Sequence, residues 1–270
     1  MKKLVVFAAL VFLLLPTVSQ ASAPVWGGTG KTLPKGCWYF ENHSLIFQLD
    51  EAWKDGQWVR LPDGQQVFIH MNLSQIYYGL SDNFTLRLNV PFYWTLENGL
   101  KQKNYHRLLG DITLDFKFRI LKKARLSLSL IPGINFDSGD KQLQPFDSDK
   151  TFLDLFYGYN LTAELFFFDI HHYLIHCVET ADIDDYLQYN FALVVTLIRN
   201  VDLCFEWDGK YWMGSLDEKR SVGFCMGVQY YFTGNTPCVE ISFRRPINNK
   251  GGLRNKEIPD IYFGFGFMWK

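Results

Sequence analysis

The chain has 270 residues, with 27 Lys plus Arg against 28 Asp plus Glu and a formal net charge of −1. With the charge so close to balanced, nothing suggests nucleic acid as a partner. Hydrophobic residues make up 48% and aromatics 17%, yet after the N-terminal segment no stretch has the roughly 20 consecutive apolar residues of a membrane helix. The nearest, Tyr186 to Ile198, is interrupted by Gln188, Asn190 and Thr196.

The first residues read as a secretory signal. Lys2 and Lys3 form the charged end, Leu4 to Leu15 the apolar core, Pro16 breaks it, and Ser19-Gln20-Ala21 offers a small-residue cleavage site. Ala21-Ser22-Ala23 also fits, but Pro24 would then follow the cut. The expectation is a signal peptide over 1–21, with a second possible cut after Ala23, and a single domain over 22–270. No Cys sits at the site to carry a lipid anchor.

From there the chain alternates with period two. Phe84 to Trp94 shows it best: Phe84, Leu86, Leu88, Val90, Phe92 and Trp94 fall on one face, with Thr85, Arg87, Asn89 and Tyr93 between them. About twelve strands are predicted, over 37–49, 67–80, 84–96, 110–121, 125–136, 151–167, 170–180, 186–199, 201–212, 220–232, 238–247 and 259–269. Each is near or above the roughly 9–11 residues that cross a bilayer at a tilt. Two are irregular: 37–49 changes phase near Ser44, which predicts a bulge, and Ile170 to Thr180 has no clear polar face.

Connections alternate between short and long. Ser81-Asp82-Asn83, Lys122-Lys123-Ala124, the Phe168-Asp169 and Arg199-Asn200 regions and 233–237 are short; 50–66, 97–109, 137–150 and 248–258 are long. Outer-membrane barrels have short periplasmic turns and longer outer loops. A soluble β-sandwich would also alternate, but its strands are usually shorter. The fold class expected is all-β: an antiparallel transmembrane β-barrel of about twelve strands, both termini periplasmic, in the outer membrane of a Gram-negative bacterium. Its partners would be outer-membrane lipid, a small-molecule solute, and the assembly machinery, which would read the alternating aromatic end Ile261, Phe263, Phe265, Phe267, Trp269, followed here by Lys270.

Three segments carry a family resemblance. They are Leu33-Pro34-Lys35-Gly36-Cys37-Trp38-Tyr39, Tyr78-Gly79-Leu80-Ser81-Asp82-Asn83-Phe84 running into Val90-Pro91-Phe92, and Gly110-Asp111-Ile112-Thr113-Leu114 with Lys117-Phe118-Arg119. The chain resembles the outer-membrane β-barrel family named for the MetA pathway of phenol degradation. The resemblance implies a barrel and a link to transport or breakdown of aromatic compounds. It implies no catalytic residues.

In a barrel the inward face decides function. Alternation assigns Arg87, Asp115, Lys117, Arg119, Asp154, Glu164, Asp202, Glu206, Glu240 and Arg244 to the lumen. Acids outnumber bases, which argues against a dedicated anion pore. These charges would line a polar pathway, or pair to close the lumen. Tyr93, Tyr159, Tyr189 and Trp207 suit either a substrate path or the girdles at the membrane edges. Cys204 and Cys225 are a candidate disulfide, directly opposed if the hairpin turns at Gly214-Ser215. His172 and His176 share a face but lie roughly 13 Å apart, too far to share one ion, and His171 points the other way; no metal and no cofactor are expected. An outer-membrane lipid-modifying enzyme would place Ser and His together. His43 and Ser44 face opposite ways, and His70-x-Asn72 has no assigned nucleophile beside it, so an enzyme is the least favoured reading. A channel or transporter for a small, aromatic or hydrophobic molecule is expected; the alternative is a closed structural or surface-interaction barrel.

Overall fold

The computed structural model describes residues 29–54, 57–61, 66–98, 103–136, 138–139, 153–165, 168–178, 185–198, 200–213, 220–232, 238–250, 253–254 and 259–269. The signal segment with both cleavage sites, the 214–215 turn, Lys270 and most of 137–150 lie outside these residues. The strands are β1 (Trp38–Leu49), β2 (Glu51–Lys54), β3 (Gln57–Arg60), β4 (Gln66–Ser81), β5 (Phe84–Asn98), β6 (Lys103–Leu109), β7 (Ile112–Lys123) and β8 (Leu126–Phe136). They continue as β9 (Leu153–Leu165), β10 (Phe168–Val178), β11 (Tyr186–Ile198), β12 (Val201–Trp212), β13 (Arg220–Tyr231), β14 (Cys238–Lys250), β15 (Leu253–Arg254) and β16 (Asp260–Trp269). The described residues contain no helix.

Twelve of these strands close an antiparallel barrel. From β4 the sheet runs through β1, β16, β14, β13, β12, β11, β10, β9, β8 and β7 to β5, and β5 pairs back onto β4. Closure pairs each of these twelve strands on both sides, as a barrel in lipid requires. The first and last strands meet at the seam, Trp38 opposite Trp269, so both lie at the end with short turns.

The molecule is inside-out relative to a soluble protein. Trp38, Ile76, Phe118, Leu130, Phe191, Phe243, Phe263 and Phe265 are exposed on the outer face, while Asp115, His171, Glu206, Asn160 and Thr162 are buried. Trp38 packs on Tyr78 with ring centroids 4.5 Å apart and on Trp269 at 6.2 Å. This is an aromatic girdle at the short-turn edge, which a headgroup region favours.

Two departures concern the strands themselves. The expected strand over 110–121 begins at Ile112, and 103–109, expected within a loop, is β6. β6 pairs with the far half of β5, Phe92 opposite Leu109, so β6 and β7 form one line broken at Gly110-Asp111. The break sits opposite Pro91, which has no N–H for the ladder; the Gly110 N–H donates to its carbonyl at 2.9 Å. The second departure is at the long-loop end, where β15, β2 and β3 form a small separate sheet from segments expected as loops.

The predicted bulge near Ser44 is absent: β1 pairs with β4 and β16 without a register shift. The phase change has another cause. Inward residues of β1 are polar at Glu41 and His43 and become apolar at Leu45, Phe47 and Leu49, because the lumen itself becomes apolar there. Leu45 and Tyr262 cluster with Val194 and Cys204 from nearly the opposite wall, and Phe47 and Met71 pack beside them. β10 lacks a polar face for the same reason. Its inward Ile175 and Cys177 cluster with Ile131 and Phe156, next to Tyr173.

Candidate functional site

The lumen is the site the fold creates, and its inner wall is hydrogen-bonded over a wide arc. Glu240 accepts from Gln229 Nε2 at 2.9 Å and lies 3.0 Å from His43 Nδ1. His43 Nε2 lies 3.3 Å from Glu41, which accepts from the Tyr77 hydroxyl. The Tyr77 hydroxyl also lies 3.2 Å from Gln75 Oε1, Gln75 Nε2 donates to Asn89, and Asn89 Nδ2 reaches Asp115 at 3.4 Å. Arg87 Nε closes on Asp115 at 2.6 Å and stacks over the Tyr77 ring. The network therefore runs from β13 through β14, β1, β4 and β5 to β7. Each charged group is met by an opposite charge or a hydrogen bond, as burial of charge demands.

The ten charged candidates share the phase of the buried positions on their strands, with different surroundings. Asp115 and Glu206 are fully buried, and Glu206 accepts from Asn190 Nδ2 at 2.9 Å. Asp154 and Asp202 are buried. Arg244 forks onto Asp208, its Nε and Nη2 lying 3.0 and 2.6 Å from the carboxylate, and Nη1 reaches Asp260 at 3.4 Å. Arg119 sits at the short-turn mouth and donates to Asn83 Oδ1 and the Asp82 carbonyl, so it clamps the 82–83 turn. Glu164 pairs with Lys31, and Lys117 with the Thr29 carbonyl.

Those last two partners lie on a segment that alternation could not reveal. Residues 29–36 precede β1 and enter the lumen as a strap. Gly36 has φ of 76°, a left-handed conformation suited to glycine, and turns the chain from the strap into β1. Leu33 N–H donates to Thr85 Oγ1 at 2.8 Å, and Thr32 Oγ1 to the Asp82 carbonyl at 2.6 Å. The strap then crosses the mouth. Gly30 N–H donates to Thr162 Oγ1 at 2.8 Å, and the Gly30 carbonyl accepts from Ser127 and Ser129 at 2.8 and 2.6 Å. Asn160 Nδ2 reaches the Thr29 carbonyl at 3.2 Å. Behind Thr162 stands His171, 2.9 Å away through Nδ1 and fully buried. The strap thus ties the β4–β5 wall to β7, β8 and β9, with His171 of β10 behind Thr162.

The remaining sequence candidates sort by face. Tyr93 points inward, beside Gly110. Tyr159 points outward and stacks on His172 at 5.5 Å, and Trp207 is outward and exposed against Phe191 and Phe224. His176 bonds Tyr157 at 2.7 Å and lies 3.4 Å from Asp185. Among the described residues no group of three His, Cys, Asp or Glu is placed to hold a metal. The directly opposed cysteine pair is corrected by the register. Cys204 faces Gly227 and Cys225 faces Glu206, two positions out of step, and both are thiols.

One further pairing escaped the sequence reading. Ser44 is on the outer face of β1 beside β4, and its Oγ lies 2.7 Å from His70 Nε2. The sequence leaves His70 without this neighbour because the long connection between β1 and β4 leaves their register open.

No protein-family model and no curated protein matches the chain. Among solved structures, the COG4313 outer membrane channel from Pseudomonas putida F1 superposes with a TM-score of 0.71 at 14% identity, covering 91% of this chain and 100% of that one. The NanC porin gives 0.55 at 8% identity, covering 85% and 99%. A deletion mutant of TodX, a monoaromatic hydrocarbon channel, gives 0.51 at 8% identity, covering 93% and 98%. By architecture the chain is a closed twelve-stranded antiparallel β-barrel, the fold of these outer-membrane proteins.

Proposed function

We propose that this protein is an outer-membrane channel for a small solute, seen with its short-turn mouth shut. One observation carries the reading: the segment that crosses the mouth is not part of the wall. Residues 29–35 are held by side-chain hydrogen bonds, the Lys31–Glu164 pair and the Cys37 N–H on the Pro34 carbonyl, none of them a ladder bond, so they can leave without breaking the barrel. The inner wall behind them is polar and charge-paired, as a solvated path requires. The short turns would then face the periplasm, and the strap would gate from that side.

Likeness to a monoaromatic hydrocarbon channel, together with the short motifs that resemble those of the phenol-named family, supports an aromatic or hydrophobic cargo. So does the apolar ground inside the barrel, where Ile131, Phe156, Ile175 and Tyr173 sit together. A closed structural barrel is the second reading. It is favoured by the cluster of Leu45, Val194, Cys204 and Tyr262, each 2% exposed or less, which bridges the lumen.

Planar-bilayer recording decides between them. The protein lacking residues 29–35 should show stable stepwise currents well above those of the intact chain, reduced by added monoaromatic solutes. A folded, heat-modifiable barrel that passes no current with or without the strap would sink the channel reading and leave the closed one.

A further inference from the structure

The outer face of β1 and β4 carries a polar patch inside the apolar band. Cross-strand partners share a face, and the register places Asn42 opposite Ser74, Ser44 opposite Asn72, and Ile46 opposite His70. On their other side Asn42 and Ser44 are opposite Phe265 and Phe263, both exposed on the outer surface. Exposed Ile46, Ile76 and Phe92 border the same patch. Polar groups facing lipid are costly unless paired or functional. Asn42 and Asn72 pair reciprocally, Nδ2 to Oδ1 at 2.8 and 2.9 Å, and Asn42 also reaches Ser74 at 2.9 Å. Ser44 pairs with His70 at 2.7 Å.

The second pair is more than mutual satisfaction. A hydroxyl 2.7 Å from an imidazole nitrogen is the contact between a serine nucleophile and its general base. The ring is held by its face: His70 stacks on Trp94 with centroids 4.9 Å apart and planes 23° from parallel. Amide donors stand close by, since Asn72 is opposite Ser44 in the ladder. Amide donors of this kind can serve a developing oxyanion. Ser44 lies six residues along β1 from Trp38, about 20 Å of strand. At barrel tilt that is about 15 Å above the girdle, just past the middle of a band about 25 Å tall.

We propose that Ser44 and His70 form a lipid-facing hydrolase site for acyl esters of membrane lipids. His70 Nε2 takes the Ser44 hydroxyl proton as Oγ adds to the ester carbonyl carbon. The tetrahedral oxyanion collapses, the bond to the lipid alcohol breaks, and the leaving alkoxide takes the proton from His70. Water then adds to the acyl-Ser44 carbonyl, giving its proton to His70. The acyl–Oγ bond breaks and Oγ recovers that proton, so the products are a fatty acid and a lysolipid. The site is outside the lumen and stands or falls independently of conduction.

The test uses the refolded full barrel in detergent micelles containing phospholipid, with folding confirmed by heat-modifiable migration. A fluorophosphonate probe should add its mass to the peptide containing Ser44. Labelling should vanish in Ser44→Ala and slow at least 100-fold in His70→Ala, and fatty-acid release from the phospholipid should follow the same order. Conductance should be the same in both variants as in the parent. A folded parent with no label on Ser44, or labelling that proceeds equally fast in His70→Ala, would overturn the proposal. So would crosslinked dimers joined through Ser44 and His70, which would make the patch a contact between two copies.

Discussion

Lys117 on β7 donates from Nζ to the carbonyl oxygen of Thr29 at 2.8 Å, across 88 residues of chain. A buried lysine on the wall therefore holds a segment that the wall itself does not need. A charge-assisted hydrogen bond of this kind contributes roughly 1.5–3 kcal/mol. Replacing Lys117 with Met keeps the apolar stem and removes the donor. If the strap gates the channel, Lys117→Met should raise the open fraction about tenfold or more, read as longer openings in single-channel records. Unchanged records would separate the strap from gating.

Gly30 tests the same contact from the other partner. A Cβ added there would lie 2.3 Å from the Ser127 carbonyl oxygen and 3.0 Å from that of Asn160, both backbone atoms that cannot yield. Gly30→Ala should therefore expel this part of the strap while leaving the twelve-stranded ladder intact. The expected result is faster protease cleavage near residue 30 and the same conductance gain as Lys117→Met. Protection equal to the parent's would show that the strap is not seated at Gly30.

Removal of Asp115 should destabilise the barrel. Asp115 is fully buried, and it is the carboxylate on which Arg87 Nε closes at 2.6 Å. Breaking a buried pair from one side leaves an uncompensated charge, at a cost of about 3–5 kcal/mol. Asp115→Ala should lower the urea midpoint of unfolding in micelles, and adding Arg87→Met to it should recover part of the loss. A double variant less stable than the single one would contradict this.

The cysteines give a register test. Cys204 and Cys225 are 1% and 0% exposed and face Gly227 and Glu206 rather than each other. Non-reducing mass analysis should find no bond between them, and a maleimide should reach both only after unfolding. A Cys204–Cys225 crosslinked peptide would show a pairing shifted by two residues.

The twelve wall strands were legible because a membrane barrel enforces period two on every strand, and Phe84 to Trp94 obeys it throughout. Legibility failed where the lumen changed character. Leu45, Phe47, Ile175 and Cys177 are apolar and inward, so hydropathy no longer separated the faces of β1 and β10, and a bulge was inferred where pairing is regular. The strap was invisible for another reason. Thr29, Gly30 and Lys31 have no period of their own, and their positions are set by Ser127, Thr162 and Glu164, more than 90 residues away. The Ser44–His70 contact depends on strand register, which the long connection between β1 and β4 left open.

The strap also constrains the order in which the molecule is built. Trp38 and Trp269 must meet at the seam across almost the whole chain, a closure that is slow for entropic reasons. Lys31 and Gly30, a few residues ahead of Trp38, are anchored on β8 and β9. Once the central hairpins exist, this stay holds the leading strand inside the half-formed curve and shortens the search for its last partner. The same few hydrogen bonds that shut the mouth would thus act earlier as a guide for closure, and variants that release the strap should insert more slowly as well as conduct more.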